Sequence, residues 1–315
     1  MTATSIAIVD PSGKPSNVFP LPEVRQVAVP FPGLTHREAI ELELPPVQHL
    51  IRGAAQRGSV GTFTGLPESF KSFLAMEIAL KVAGGGESVL GLDVETHGPV
   101  GYFWQDDSKE AELERLKTYA CRHGYTHDLP IRWHLNENLR LPDHLDALRS
   151  EIEREGQVLV VLDSLYNFLS AQIKLKDEEV AQVLDALKSQ VCDPTGCAVA
   201  IIDHSPWPSD ANRGQVRGYG SVFKAAAIRW GVYMERKKGS GEVWIEARGN
   251  NVAGFHRKLF LWDENSLEFR TVDRQQLAED DSITGSTSTS ARTRAPRRGG
   301  SRTKSREGGS VFGTR

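Results

Sequence analysis

Cysteine is scarce: Cys121, Cys192 and Cys197 are the only three in 315 residues. Three are too few for a disulfide framework, and their spacing matches no common zinc pattern. They read as reduced thiols of a cytoplasmic protein. No apolar run approaches the roughly 20 residues that a membrane span requires. The opening segment, residues 1–16, has no basic stretch followed by an apolar one, so no secretory leader is read. Internal repeats are also lacking, as is any zinc-binding or primase-like segment. These absences exclude a disulfide-stapled secreted scaffold and a membrane partner.

What is present is ordinary for a globular chain, 39% hydrophobic and 25% charged residues, in a length that suits one large or two ordinary domains. The charge is unevenly spread. Residues 282–315 carry eight Arg and Lys against Glu307 alone, a net of +7, which leaves −10 for the rest of a chain whose formal charge is −3. Residues 281–315 are rich in Ser, Thr, Arg and Gly and nearly devoid of apolar residues, so a disordered basic tail is expected, with an anionic partner. A non-specific phosphate-binding arm and a plain solubilising linker or localisation signal are both compatible with it. At the other end, residues 1–44 hold many prolines and no clear period. They read as an extended N-terminal arm, and Pro45-Pro46 opens a short amphipathic turn, Val47 to Ile51.

From Ser59 onward strands alternate with helices. Strands are expected over 59–64, 98–104, 131–135, 157–165 and 197–204, with helices over 71–83, 109–123, 142–155 and 177–190 between them. Two strand-like segments, 227–235 and 242–247, and a hairpin around Asp263 close the domain. Alternating strands and helices give a mostly parallel α/β sheet flanked by helices, and the final meander adds antiparallel strands. The expected domain spans 45–280.

The stretch that carries most chemistry is Gly65-Leu66-Pro67-Glu68-Ser69-Phe70-Lys71-Ser72-Phe73. It matches G-x-x-x-x-G-K-[ST] at every fixed position but one, where Phe70 replaces the second glycine. In such a loop backbone N–H groups and the start of the next helix face phosphate oxygens. Lys71 would reach the β- and γ-phosphates of ATP, and Ser72 would hold Mg²⁺. A glycine at position 70 would take a positive φ freely, whereas phenylalanine is strained there. Either the loop avoids that conformation or the site is degenerate. An incidental Lys-Ser in a strand–turn–helix unit is the plainer alternative.

Three further strand ends bear polar groups, where ligands of an open parallel sheet bind. Asp163 follows four apolar residues and would hold Mg²⁺, or else cap the next turn. Asp106 or Asp107 would orient the attacking water, with Asp107 or Ser108 free to cap the following helix. His204 would sense the γ-phosphate, unless it is a locally satisfied core histidine. The loop 205–220 offers Trp207 and Tyr219 for base stacking and Arg213 for phosphates. A solvent loop with a packed tryptophan explains those residues equally well.

Residues 47–250 resemble the RepA-like branch of the RecA/KaiC-type P-loop ATPases, the hexameric replicative helicase-like group with an AAA family ATPase domain. The resemblance rests on the Leu50-Ile51 lead-in, the Gly65–Ser72 loop, and Tyr102-Phe-Trp-Gln-Asp-Asp-Ser108 with Arg115-Leu116 behind it. It continues through Leu159-Val-Val-Leu-Asp163-Ser, Ile201-Ile-Asp-His204, and Arg217-Gly218 ahead of a small-residue helix. It implies a RecA-like core, with Asp106 in place of the catalytic glutamate, His204 as γ-phosphate sensor and Arg217 completing a neighbouring subunit's site. It also implies a homo-oligomer, a hexameric ring, working on single-stranded DNA. The expected activity is ATP hydrolysis coupled to nucleic-acid binding or translocation. The rival readings are a nucleotide-dependent regulatory module with weak or no hydrolysis and a small-molecule kinase.

Overall fold

A computed structural model describes residues 33–43, 46–105, 108–173, 178–204, 227–249 and 255–272 in full, with 5–9, 15–20 and 177 as backbone. The chain divides into two compact units, residues 1–46 and 47–315. In the first, β1 (Ser5–Val9) pairs antiparallel with β2 (Pro15–Pro20), and α1 spans His36–Glu41. The stretch read as an extended arm therefore contains a hairpin and a helix. The helix starts on a capping box in which the Thr35 hydroxyl accepts from the Glu38 N–H and the Glu38 carboxylate accepts from the Thr35 N–H. That arrangement satisfies two orphan donors that proline-rich surroundings do not reveal.

The second unit opens with β3 (His49–Ile51), paired antiparallel with β4 (Ala55–Gln56), where the sequence suggests a turn. There follow β5 (Val60–Gly65), α2 (Lys71–Gly84), the small pair β6 (Ser88–Val89) and β7 (Leu92–Asp93), β8 (Val100–Trp104), α3 (Lys109–Arg122), β9 (Ile131–Leu135), α4 (Leu145–Glu155), β10 (Leu159–Asp163), α5 (Leu165–Phe168), α6 (Asp177–Leu187), β11 (Ala198–His204), β12 (Trp230–Arg236), β13 (Glu242–Gly249), β14 (Phe255–Asp263) and β15 (Glu268–Thr271). A π-helical turn, Lys188–Cys192, extends α6. Among the described residues no helix is long and apolar enough to cross a membrane.

One nine-stranded sheet organises this unit, in the order β15-β14-β13-β12-β5-β11-β10-β8-β9. From β12 to β9 neighbouring strands run parallel, and β12 to β15 form an antiparallel meander. This is the α/β, mostly parallel architecture with C-terminal antiparallel strands expected from the sequence. Strands β5, β8 and β10 are buried at every position, because helices cover both faces of a parallel sheet. One cluster of core side chains packs around α2, Tyr102 and Trp230, the other around α4, α6 and Leu162.

The chain leaves β5 and crosses to β8, three places away, before β10 and β11 fill the gap. The reversal of strand order lies beside β5, which is where a parallel sheet opens a crevice at its carboxyl ends. At the centre of the sheet Gly61 lets the Trp230 indole lie directly on the β5 backbone, and the Trp230 Nε1–H donates to Ser59 Oγ at 3.1 Å.

Candidate nucleotide site

The loop between β5 and α2 begins where β5 runs close to β12. A Cβ at Gly65 would run into the Met234 carbonyl oxygen. Two non-glycine residues in the loop then take left-handed conformations, Glu68 at φ 63° and Phe70 at φ 66°, ψ 22°. Phe70 thus adopts the backbone of the glycine it replaces, and α2 starts directly behind it with Leu74 N–H donating to the Phe70 carbonyl at 3.1 Å. The Phe70 ring is half-buried. It stacks on Trp262 of β14, with centroids 4.5 Å apart and planes 17° apart, and the Arg236 guanidinium lies 4.5 Å from its centroid. Lys71, 5% exposed, directs its Nζ back into the loop, donating to the carbonyls of Gly65 at 3.1 Å and Leu66 at 2.8 Å and to Ser69 Oγ at 3.5 Å.

Three more strand ends converge on this loop. Residue pairing sets His204 beside Gly65 and Asp163 beside Trp104. Asp163 is 1% exposed, and its Oδ2 accepts from the Tyr102 hydroxyl at 3.4 Å. Burial first, and then the Asp163 charge, push the Tyr102 phenol well above its ordinary range, while Arg115 opposes them and Glu112 adds to them. Tyr102 is therefore a donor at every working pH. Helix α3 starts on Ser108, whose hydroxyl accepts from the Ala111 N–H at 3.2 Å, and it turns Glu112 and Arg115 inward. Glu112 is fully buried, and the Arg115 guanidinium lies 5.7 Å from the Phe73 centroid.

These groups line one cleft of about 420 Å³, within the range of small-molecule sites. Its cations are Lys71, Arg115 and Arg236; its carboxylates are Glu68, Glu112 and Asp163; Ser69, Ser72 and His204 add polar groups, and the rest of the lining is apolar or aromatic. A loop with a helix N-terminus behind it, a buried lysine and two further guanidinium groups suits a polyphosphate. Among the described residues, Ser72 and Asp163 offer oxygen donors to a hard cation, beside the carboxylates of Glu68 and Glu112. Among the described residues no three His, Cys, Asp or Glu side chains gather as a metal cluster. A magnesium ion held by Ser72 and Asp163 would thus rely on substrate phosphate oxygens and water for the rest of its shell, as that ion commonly does.

A family model described as an AAA domain matches residues 27–210, more than half of the chain. The chain belongs to the AAA domain family. Among solved structures it is similar to a KaiC-like protein, PH0186, from Pyrococcus horikoshii OT3, at 14% identity and TM-score 0.49, over 72% of this chain and 100% of that one. It is also similar to a second solved structure, an isolated ATPase domain, at 11% identity and TM-score 0.51, over 69% of this chain and 86% of that one. At such identity the second likeness speaks for a shared fold. The AAA domain here is a P-loop ATPase domain with a RecA-like core, as the sequence motifs imply.

Of the residues singled out in sequence, the AAA domain brings the loop Gly65–Phe73, Asp163 and His204 to one cleft. Asp106, Asp107, Trp207, Arg213, Arg217 and Tyr219 lie outside the described residues, as does the basic tail. Sequence reasoning missed Tyr102, Glu112, Arg236 and Trp262 as parts of the site. Glu112 sits in a run of helix charges that reads as solvated, and Arg236 and Trp262 come from strands remote in sequence. One signal could have prompted a search for a partner of Phe70, though not for Trp262 by name: an aromatic ring in a glycine position needs something to pack on.

Proposed function

We propose that this AAA-domain protein binds ATP with Mg²⁺, hydrolyses it, and couples turnover to binding or translocation of single-stranded DNA as a ring-forming, replicative-helicase-type motor. The observation that carries the reading is the loop itself, held in the glycine-type conformation with Lys71 buried at its centre. On nucleotide binding Lys71 would exchange the Gly65 and Leu66 carbonyls for phosphate oxygens. Ser72 and Asp163 would hold the cation, which supplies charge neutralisation at those oxygens when bound. Asp106 would orient the water for in-line attack, and His204, at the end of the strand beside β5, would register loss of the γ-phosphate. Arg217 would serve the site of a neighbouring subunit, and Trp207, Arg213 and Tyr219 would grip the strand.

A regulatory module with weak hydrolysis is the second reading, favoured by the short Asp106 side chain. The other argument for it is the strain at Phe70, which does not avoid the left-handed conformation; against it stands the stacking of that ring on Trp262, which supports the loop in that conformation. The test is the ATP hydrolysis rate of wild type and Lys71→Ala, with and without single-stranded DNA, alongside sedimentation. The motor reading expects DNA to raise the wild-type rate, Lys71→Ala to abolish it, and a ring-sized oligomer. Nucleotide binding by a monomer without turnover would overturn it in favour of the regulatory module.

A further inference from the structure

The geometry points to Trp262 as a positioning residue for the phosphate loop, one that makes phenylalanine workable where glycine is the rule. The inference rests on the reading of Gly65–Ser72 as the nucleotide's phosphate site. An L-residue at φ 66° is strained by its own Cβ, and such strain persists only where the surroundings over-determine it. Here the surroundings are the antiparallel meander. The Phe70 ring is stacked on Trp262, which is 7% exposed. Trp262 is fixed in turn by its backbone N–H donating to the Gly241 carbonyl at 2.7 Å and by Phe269 at 5.0 Å between centroids.

The loop's other strained residue, Glu68, is held from the same side. Arg236 at the end of β12 donates to the Glu68 carbonyl at 3.2 Å, donates from Nε to the Ser240 carbonyl at 3.1 Å, and places its guanidinium over the Phe70 ring. Both non-glycine left-handed residues of the loop are therefore fastened to β12–β15. These strands do more than close the sheet; they preset the loop for phosphate.

If Trp262 were only core, its loss would matter equally whatever stands at position 70. If it positions the loop, its loss should matter only while Phe70 must be held, since glycine takes a positive φ without strain. The experiment is a double-mutant cycle read by calorimetric binding of a non-hydrolysable ATP analogue with Mg²⁺. Trp262→Ala is expected to weaken binding about tenfold, which is about 1.4 kcal/mol. In the Phe70→Gly background the same change should cost less than about twofold. Trp262→Leu, which keeps apolar bulk without a stacking plane, serves where the alanine variant does not fold and should behave like it. Trp262→Phe should restore binding in the Phe70 protein. Equal losses in both backgrounds, or no loss with Phe70 present, overturn the positioning role alone. A wild type that binds no analogue overturns the nucleotide reading and this inference with it.

Discussion

Removing one oxygen, Tyr102→Phe, tests how the Asp163 carboxylate is held. The ring is completely buried and packs on Trp104 and Trp133, at 4.6 and 5.1 Å between centroids, so phenylalanine keeps the packing. What is lost is the hydroxyl's donation to Asp163 Oδ2. A hydrogen bond to a charged acceptor contributes about 1.5–3 kcal/mol at good geometry. The 3.4 Å separation is long for an O–H donor, so a loss of about 1 kcal/mol is expected, below that range. If Asp163 holds a divalent cation, that figure corresponds to about a fivefold rise in the Mg²⁺ concentration giving half-maximal ATP hydrolysis, at the weak end of what outer-shell partners contribute. The maximal rate at saturating Mg²⁺ should change less than about twofold. Because burial and the Asp163 charge keep the phenol protonated, the ratio of variant to wild type should stay constant between about pH 6 and 9. An unchanged Mg²⁺ requirement beside a lowered unfolding temperature would refute the reasoning and reduce Tyr102 to a core residue. A fall in the maximal rate with an unchanged Mg²⁺ requirement would refute it as well.

Two other outcomes follow from packing and burial. Gly61→Ala places a methyl group inside the Trp230 indole; overpacking of this kind costs about 1–3 kcal/mol, and thermal unfolding should fall by several degrees, with an unchanged midpoint counting against the described register of β5 and β12. Burial raises the Cys192 thiol to about 12 and Cys197 well above its ordinary value, whereas Cys121 is exposed, so a disulfide thiol reagent at about pH 8 should titrate one thiol in the folded protein and all three in denaturant. Rapid reaction of more than one native thiol would contradict the placement of Cys192 and Cys197.

The parallel half of the sheet was legible because its signals are local. Leu-Val-Val-Leu before Asp163 is a strand buried on both faces, and Gly85 at φ 76° ends α2 where the glycine run predicted a stop. Ser108 caps α3, as its place before a helical run suggested. What was not legible depends on which strands become neighbours. Arg236 and Trp262 reach the phosphate loop because β12 pairs with β5 in a register that sets Met234 beside Gly65. No spacing within the chain announces that pairing. Glu112 shows the same limit on a smaller scale: in Lys-Glu-Ala-Glu-Leu-Glu-Arg it looks like one more exposed charge, yet it is fully buried in the lining of the cleft. The hairpin and helix of the first unit were hidden for another reason, since prolines at strand ends break the apolar period without breaking the pairing.

The strand order also bears on how a grip on nucleic acid would reach the nucleotide. The segment 205–226 leaves the sheet at His204 and the chain re-enters it at Trp230, and those two strands, β11 and β12, are the immediate neighbours of β5 on either side. His204 is paired with Gly65 and Trp230 with Gly61. A force on either end of that segment therefore acts on a strand bonded directly to the one that carries the phosphate loop. On the β12 side it also acts through Arg236, which is fastened to the Glu68 carbonyl. Coupling in the proposed motor needs no long chain of intermediates, only a loop with two discrete arrangements that both neighbours can bias. The Phe70–Trp262 stack would hold one of them, the arrangement described above. In the proposed motor the meander, absent from the phosphate-loop motif itself, would be as much a part of the coupling route as the residues of that motif.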